Sequence, residues 1–373
     1  MLQEKQLPSS KRPIILGGGE TGGHITPLIA IGEQLAKEKR PFICLGGRGS
    51  REEKMFTDHG WRFVAVRSGK WRRYWSVSSL ILNLFDLVNL LIGCFQAARV
   101  LLVTRAPVIF SKGGPVSLPV VISGWLLFRA VIIHESDSVM GLTNRIGSRF
   151  ARRVLTAFGV TLFSGHDSRY TQVGIPIRAS LRQAARLKAP RKGRPLILVI
   201  GGIQGAEPIN RLIRDELKEL LEVCDVVHST GDKDLGPSQL LLERLPRSIQ
   251  PRYKPFNFIG RELPYYFQTA DLVISRSSAT TIAEGALFGK AMILIPLPGS
   301  AGDHQKQNAS VLSGVEAAIV LDQKLTTSKE LVQTVSDLLA DAPRRAKLGQ
   351  NLGRYFNVEG SLQKIITIIN EES

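Results

Sequence analysis

LGGGETGGHITP, at residues 16–27, and VIGGIQGAEPIN, at residues 199–210, are the two glycine-rich turns that decide the fold. Each follows an apolar run typical of a strand and precedes apolar residues at helical spacing. Glycine lets a backbone approach a ligand closely, and the next helix presents unpaired N–H groups to an anion. The turns therefore predict two domains that bind phosphate groups, although a tight turn without a ligand has the same pattern.

Further apolar runs alternate with helical patterns along both halves of the chain. The runs cover residues 13–16, 41–45, 64–66, 108–110 and 131–133, and then 196–200, 226–227, 272–274 and 292–295. Such alternation predicts an α/β fold with parallel sheets and helices on both faces. We expect an N-terminal domain over 13–172, a linker over 173–195, a C-terminal domain over 196–355 and a C-terminal helix over 356–373.

The charge of the chain predicts an anionic partner. Its 373 residues carry a formal net charge of +17, and the basic residues cluster within 62–73, 145–153 and 178–194. Nucleic acid, membrane headgroups and a phosphorylated substrate all fit this charge. The three cysteines are far apart, and residues 1–12 have no apolar stretch, so we expect a cytosolic protein without a signal peptide.

Residues 77–105 are apolar enough to suggest a membrane helix. Asn83, Asp86 and Asn89 interrupt the apolar run every three residues, so it does not reach the ~20 uninterrupted apolar residues of a spanning helix. A helix with so narrow a polar stripe is either buried or lies in the bilayer interface. A neighbouring basic and aromatic cluster favours the interface, with membrane contacts expected from Trp71, Arg72, Arg73 and Trp75.

Three side chains have positions that suit chemistry. His24 closes the first glycine turn and could act as a general base, although a structural histidine fits as well. Glu135 ends an apolar run at the edge where ligands of open α/β sheets gather. Glu284, one turn into a helix expected to start near Thr280 and Thr281, could bind a ribose diol or simply complement the helix dipole. Asp303 and His304 lack companions for a metal site, so we expect no metal.

Taken together, the motifs resemble the MurG family. They are GGETGGHITP (18–27), GKWRRYWS (69–76), SKGGPVSLP (111–119), HESDSVMGLTNRI (134–146), VGIPIR (173–178), GGIQGAEPIN (201–210), SRSSATTIAE (275–284) and HQKQNA (304–309). The resemblance covers nearly the whole chain in the family's order. It implies a GT-B fold, in which two Rossmann-like domains face a cleft.

The resemblance also implies an activity. Members of the family transfer N-acetylglucosamine from UDP-N-acetylglucosamine to the 4-hydroxyl of N-acetylmuramic acid in lipid I, with inversion, and so make lipid II for peptidoglycan. The implied enzyme is a peripheral protein on the cytoplasmic face of a bacterial membrane. It needs no cofactor, binds no nucleic acid, and has other cell-wall synthesis proteins as potential partners.

Carried over to this chain, the family pattern assigns residues to three tasks. His24 and Glu135 are the acid–base candidates. The residues expected to bind the donor sugar nucleotide are Thr21, Gly22, Gly23, Asp137, Arg178, Ile203, Ile259, Ala279, Thr280, Thr281, Ile282, Ala283, Glu284 and Gln305. Among these, the Ile259 backbone would meet uracil, Glu284 the ribose and Gln305 the sugar. The residues expected to bind the acceptor are Gly19, Gly113, Gly114 and Tyr74.

The chain departs from the family pattern at several positions. Ile203 stands where serine is usual, and Glu20 replaces a glycine near the presumed acceptor phosphates. These departures keep three other interpretations open. The chain could be a catalytically weakened paralogue that acts as a membrane-bound scaffold, a related glycolipid synthase that uses diacylglycerol, or, from charge alone, a nucleic-acid-binding protein.

Overall fold

The structure is a computed structural model that describes residues 11–19, 22–69, 77–163, 167–187, 193–202, 204–356 and 358–373. The chain divides into two compact units. Unit 1 comprises residues up to Ser136, Met140–Arg178 and Gly360–Ser373. Unit 2 comprises Asp137–Val139 and Ala179–Glu359.

A parallel sheet of seven strands forms the centre of unit 1. The strands are β1 (Ile14–Gly17), β2 (Phe42–Gly46), β3 (Phe63–Ala65), β4 (Val108–Ser111), β5 (Ala130–Glu135), β6 (Arg153–Thr156) and β7 (Tyr170–Gln172). Their order in the sheet is β3-β2-β1-β4-β5-β6-β7, and every pairing is parallel. Strands β2 and β3 are added on one side of β1, and strands β4 to β7 on the other, so the strand order reverses between β1 and β4.

Helices connect these strands and cover both faces of the sheet. They are α1 (Gly22–Lys37), α2 (Arg51–Asp58), α3 (Val77–Thr104), α4 (Ser117–Leu126) and α5 (Leu142–Gly147). Alternate residues of β1 enter two separate cores, with Ile14 and Leu16 in one and Ile15 in the other. A strand buried on both faces reads as a continuous apolar run, which is why the sequence pattern located it.

Unit 2 repeats this architecture with six parallel strands. They are β8 (Leu196–Ile200), β9 (Asp225–Ser229), β10 (Tyr253–Phe256), β11 (Leu272–Ser275), β12 (Ala291–Leu294) and β13 (Ile319–Val320). The order is β10-β9-β8-β11-β12-β13, again with every pairing parallel. The prediction of an α/β fold built from two Rossmann-like domains is confirmed.

Nine helices of the described chain belong to unit 2. They are α6 (Ala179–Arg186), α7 (Glu207–Asp215), α8 (Leu217–Val223), α9 (Asp232–Arg244), α10 (Leu263–Thr269), α11 (Ala279–Leu287), α12 (His304–Gly314), α13 (Ser328–Ala340) and α14 (Ala342–Phe356). Helix α6 lies inside the segment 173–195, and its residue Ala184 accepts a hydrogen bond from Gln268 Nε2 at 3.1 Å. Short 3-10 helices occupy Val160–Leu162, Gln250–Arg252 and Ala301–Asp303.

The last helix, α15 (Val358–Glu371), returns to unit 1. Its apolar side joins the core that contains Ile14, through Leu362, Ile365, Ile366 and Ile369. The nearly buried Glu372 carboxylate lies 2.8 Å from Arg152 Nε and 3.0 Å from Arg153 Nε. Unit 1 is therefore completed by the last residues of the chain.

Candidate functional site

Each unit presents one edge where loops converge. In parallel sheets, ligands bind beyond the carboxyl ends of the strands, at the point where the strand order reverses. This point lies between β1 and β4 in unit 1 and between β8 and β11 in unit 2. The two glycine-rich turns follow β1 and β8, so each lies at the switch point of its own sheet.

The first glycine turn packs directly against the loop after β4. Gly19 N donates to Gly113 O at 3.2 Å, and Lys112 N donates to Gly17 O at 2.8 Å. A side chain at Gly114, whose φ is +89°, would collide with the Gly19 carbonyl. Glycine is therefore required there, and the structure brings together Gly19, Gly113 and Gly114.

His24 lies at the start of α1, directly beyond this turn. Its Nδ1 is 3.1 Å from Gly19 O. A carbonyl oxygen only accepts, so Nδ1 is the donor in this hydrogen bond. Gly22 and Gly23 form the first two positions of α1. Glu20 and Thr21 lie outside the described residues.

Glu135 is the last residue of β5 and is only 5% exposed. Its Oε2 accepts hydrogen bonds from Asn144 Nδ2 at 2.9 Å and from Gly141 N at 3.0 Å. Asn144 Nδ2 also contacts His134 O at 3.3 Å. These donors fix the orientation of the carboxylate. Sequence reasoning missed this role of Asn144, although the residue lies inside the quoted motif 134–146.

Two further ionisable groups lie buried near Glu135, and neither was singled out from the sequence. Lys112 Nζ donates to Ser136 Oγ at 2.6 Å with 1% of the residue exposed. His134 Nε2 contacts Gly174 O at 2.8 Å. Burial and the Lys112 charge hold the pKa of His134 well below its ordinary value. His134 is therefore neutral near pH 7 and is fully buried. His24 and Glu135 stay the predicted acid–base candidates of this edge.

The second glycine turn packs on the end of β9. Gly205 has φ +79°, and a side chain there would collide with Thr230 O. Gly202 also has positive φ, at +87°. Ile203 lies outside the described residues. The flanking geometry therefore requires glycine at Gly205 and brings this turn against the loop between β9 and α9.

A buried polar network holds α7 against the end of β9. His228 Nε2 lies 2.9 Å from Asn210 Oδ1, and Asn210 Nδ2 donates to Asp234 Oδ2 at 2.8 Å. Arg214 Nη1 lies 2.9 Å from Asp234 Oδ1. Burial lowers the pKa of His228 to about 3, with a further contribution from the Arg214 charge. This neutral histidine fixes the start of the helix that follows the glycine turn.

Helix α11 begins at Ala279, slightly earlier than the expected start near Thr280 and Thr281. Ser278 caps it, because its Oγ accepts from Thr281 N at 3.4 Å and lies 2.9 Å from Thr281 Oγ1. The side chains of Ile282 and Ala283 are fully buried, and Ile282 N donates to Ser278 O at 3.0 Å inside the helix. Glu284 lies one turn further and is 6% exposed.

Asn308 on α12 connects the loop after β5 with the end of β11, and sequence reasoning missed it. Its Nδ2 donates to Asp137 Oδ1 at 2.8 Å and to Ser277 O at 3.1 Å. Its Oδ1 accepts from Ser138 N at 2.8 Å. Gln305 Oε1 accepts from Leu297 N at 3.0 Å. The structure thus brings Asp137 and Gln305 to the same end of α12.

The other residues predicted to bind substrate or membrane lie elsewhere in the two units or outside the described residues. Ile259 is buried in unit 2, and Arg178 is half-buried at the end of the second segment of unit 1. The expected membrane contacts Trp71, Arg72, Arg73 and Trp75, and the expected acceptor contact Tyr74, lie outside the described residues.

Helix α3 exposes its apolar side. Large hydrophobic residues on one side are between 45% and 78% exposed, namely Leu84, Phe85, Leu87, Val88, Leu91 and Phe95. Asp86, Asn89 and Gln96 on the opposite side are half-buried instead. Arg67 N donates to Gln96 Oε1 at 2.8 Å, and a side chain at Gly93 would strike the Arg67 carbonyl. This orientation is the reverse of that expected for a surface helix of a protein surrounded by water.

By length and composition alone, Leu84–Thr104 could cross a membrane, and it is the only such segment in the described residues. The topology gives it a different role. The strands on either side of α3 belong to one sheet, and α3 packs along α4. Since α3 connects parallel strands of the same sheet, it is a crossover helix with one exposed apolar face.

Comparison with known protein families identifies both halves of the chain. Residues 14–156 match the glycosyltransferase family 28 N-terminal domain, and residues 196–357 match the glycosyltransferase family 28 C-terminal domain. A relative from Legionella pneumophila (strain Paris) is 33% identical over 369 residues, covering 96% of this chain and 97% of the relative. One from Treponema pallidum (strain Nichols) is 33% identical, with 97% of each chain covered. Both are named UDP-N-acetylglucosamine--N-acetylmuramyl-(pentapeptide) pyrophosphoryl-undecaprenol N-acetylglucosamine transferase.

Solved structures show the same fold. The crystal structure of Acinetobacter baumannii MurG matches with a TM-score of 0.77 and 22% identity, covering 97% of this chain and all of that one. The glycosyltransferase of kitacinnamycin matches with a TM-score of 0.72 and 16% identity, covering 98% of this chain and all of that one. Both likenesses cover nearly the whole chain, as expected for a shared fold.

Proposed function

Because the chain belongs to the MurG family within glycosyltransferase family 28, we propose that it transfers N-acetylglucosamine from UDP-N-acetylglucosamine to lipid I. The acceptor atom is the 4-hydroxyl of the N-acetylmuramyl group, and the product is lipid II for peptidoglycan synthesis. The observation that carries the proposal is the 33% identity, over 96% of the chain, to a transferase named for this activity. The site residues of both units suit the same reaction.

The proposed reaction is an in-line displacement at the anomeric carbon. The acceptor hydroxyl attacks, UDP leaves, and the configuration inverts to a β-linkage. His24 is the first choice for the base, because it lies at the start of α1 directly beyond the first glycine turn, and its contact with Gly19 O orients the imidazole. Glu135 is the second candidate, and its fixed carboxylate can also orient the acceptor sugar.

Unit 2 holds the donor in this proposal. The N-terminal end of α11, from Ala279 to Ala283, is assigned to the nucleotide and the diphosphate, and the helix dipole stabilises the charge that develops on departing UDP. Glu284 accepts hydrogen bonds from the ribose hydroxyls, and the Ile259 backbone meets uracil. Gln305 uses its amide N–H groups on the sugar, since its Oε1 already accepts from Leu297 N.

Other residues complete the substrate contacts. Thr21, Gly22, Gly23, Asp137, Arg178 and Ile203 are assigned to the sugar and diphosphate side of the donor. Gly19, Gly113 and Gly114 allow the acceptor to approach the backbone closely, and Tyr74 is assigned to the acceptor as well. The required glycine at Gly114 lets the two loops pack against each other, so the three glycines lie side by side at one edge of the sheet.

We further propose that the enzyme is peripheral on the cytoplasmic face of a bacterial membrane. The exposed apolar side of α3 supports this placement, since such a surface is costly in water and favourable in the acyl region. The basic and aromatic residues Trp71, Arg72, Arg73 and Trp75 would add attraction to anionic headgroups, worth about 1 kcal/mol for each basic residue near the surface.

The test is UDP release from UDP-N-acetylglucosamine with and without a short-chain lipid I analogue. We expect release that depends on the acceptor, with a β-1,4-linked disaccharide as product. A parallel reaction with diacylglycerol is the control. Transfer to diacylglycerol alone would identify a glycolipid synthase, and a folded protein that binds vesicles without releasing UDP would identify a scaffold.

A further inference from the structure

A polar cavity of about 750 Å³ lies in unit 1, next to the carboxyl ends of β2 and β3. Residues that follow these strands line one side of it, and Asn89 and Gln96 from the polar stripe of α3 line the other. Arg48, Arg51 and Arg67 contribute three guanidinium side chains. We name it the arginine cavity. Its size is that of a ligand pocket, and the reaction described above does not use it.

The charges of the arginine cavity favour an anion. All three arginines are exposed, and no ion pair found within the described chain involves them. The only acid in the described lining is Glu52, which is fully buried. Its Oε1 accepts from Gly47 N at 3.3 Å and lies against Gly19, so this carboxylate is directed to the glycine turn. Guanidinium groups bind phosphate through paired hydrogen bonds.

The position of the arginine cavity narrows the choice of anion. Through Glu52 it borders the first glycine turn, where the acceptor sugar is expected to react. Its other wall is α3, whose opposite side is the exposed apolar face. A helix with its side chains is about 10 Å thick, so the cavity lies about that far from the lipid-facing surface. A chemical group that links a membrane-embedded lipid to a sugar at the glycine turn would therefore lie in or beside this cavity.

We propose that the arginine cavity binds the pyrophosphoryl group of the lipid-linked acceptor, through Arg48, Arg51 and Arg67. This inference rests on the proposed function, because it takes the acceptor from that reaction. The arginines would anchor the acceptor between the bilayer and the glycine turn. They would thereby distinguish a pyrophosphoryl lipid from acceptors that lack phosphate.

The first test measures binding without turnover. Inorganic pyrophosphate is titrated into the full-length protein by calorimetry, with saturating UDP present to occupy the donor site. The variant carries Arg48→Gln, Arg51→Gln and Arg67→Gln, and the matched control carries Arg62→Gln at an exposed arginine of the same unit outside the cavity lining. We expect the triple variant to weaken binding about 10- to 100-fold, the usual range for lost charge-assisted hydrogen bonds, and the control to bind normally. Equal binding by all three proteins would overturn the proposal.

The second test measures kinetics with soluble acceptors. For the triple variant we expect KM for a short-chain pyrophosphoryl acceptor to rise about 10- to 100-fold, with KM for the donor unchanged. An acceptor without phosphate should show no such rise. A rise that depends on the acceptor peptide, with none for a peptide-free pyrophosphoryl acceptor, would assign the cavity to the peptide and refute the proposal.

A third experiment, with vesicles, distinguishes binding of the acceptor pyrophosphate from binding of membrane headgroups. If the triple variant loses only its binding to phosphatidylglycerol vesicles, with KM for the short-chain acceptor unchanged, the cavity binds membrane headgroups and the proposal is wrong. If the wild type shows no turnover while the triple variant still loses pyrophosphate binding, the proposed function fails but the anion site stands.

Discussion

Replacing Leu84 and Phe95 by alanine is expected to weaken binding to anionic vesicles about 100-fold. The two residues are 65% and 78% exposed and lie on the same side of α3, eleven positions apart. Full transfer of a leucine or phenylalanine side chain out of water contributes about 2 kcal/mol. Scaled by the exposed fractions, the two truncations remove about 3 kcal/mol of membrane affinity, which is about 100-fold.

The assay is sedimentation with phosphatidylglycerol vesicles. A matched control carries Leu325→Ala and Phe258→Ala, which are a leucine and a phenylalanine exposed by 80% and 51% in unit 2. We expect the control to bind as the wild type does. The α3 variant should unfold at nearly the wild-type urea concentration, because exposed side chains contribute little to folding. Unchanged vesicle binding by the α3 variant, or equal losses in both variants, would refute the assignment of α3 to the membrane.

Three further predictions concern the site and the pH dependence. Glu284→Ala should raise KM for UDP-N-acetylglucosamine at least about 10-fold, because a ribose contact is lost, while Glu284→Gln should recover part of it; equal KM values would exclude that contact. His24→Ala should lower kcat by about 100-fold or more in single-turnover measurements, and a near-normal kcat would leave Glu135 as the base. His228 has its pKa lowered to about 3, so unfolding takes up a proton below pH 6.5. Its contribution to stability is complete above pH 6.5 and is lost as the pH falls towards 3. Urea unfolding should therefore depend less on pH in His228→Gln, and an unchanged dependence would contradict this.

The central strands were predictable because they are buried on both faces. The apolar run 196–200 coincides with β8, and the runs 41–45 and 108–110 lie within one residue of β2 and β4. Strands β6, β7, β10 and β13 were missed. The last three lie at sheet edges, and β10 includes Lys254 and Pro255, so their composition lacks the continuous apolar signal. Strand β6 is internal, but only Val154 and Leu155 of its four residues are apolar.

The orientation of α3 could not be predicted from its sequence. Periodicity identifies a polar stripe, but it does not tell which side of a helix meets the protein. The contact between Arg67 N and Gln96 joins residues 29 positions apart, and it is such contacts that place the stripe inward. The interpretation as an interfacial helix stays a prediction that the vesicle assay tests.

Within the site, local motifs were visible and distant partners were not. The glycine turns and the approximate start of α11 follow from adjacent residues. The bond between Asn308 and Asp137 spans 171 positions, and that between His228 and Asn210 spans 18. A single sequence carries no signal for such pairs. The contact of Asn144 with Glu135 could in principle have been predicted, because the two residues are nine positions apart inside one motif.

The return of α15 to unit 1 has a consequence for how the chain is made. A ribosome delivers the chain from its N-terminus, and domains generally fold in the order in which they emerge. Here the core around Ile14 is completed by Leu362, Ile365, Ile366 and Ile369, which are synthesised after unit 2. Residues 179–359 of unit 2 are continuous and can fold while the earlier unit still lacks one wall. During synthesis, therefore, the half of the protein that emerges first is the half that matures last.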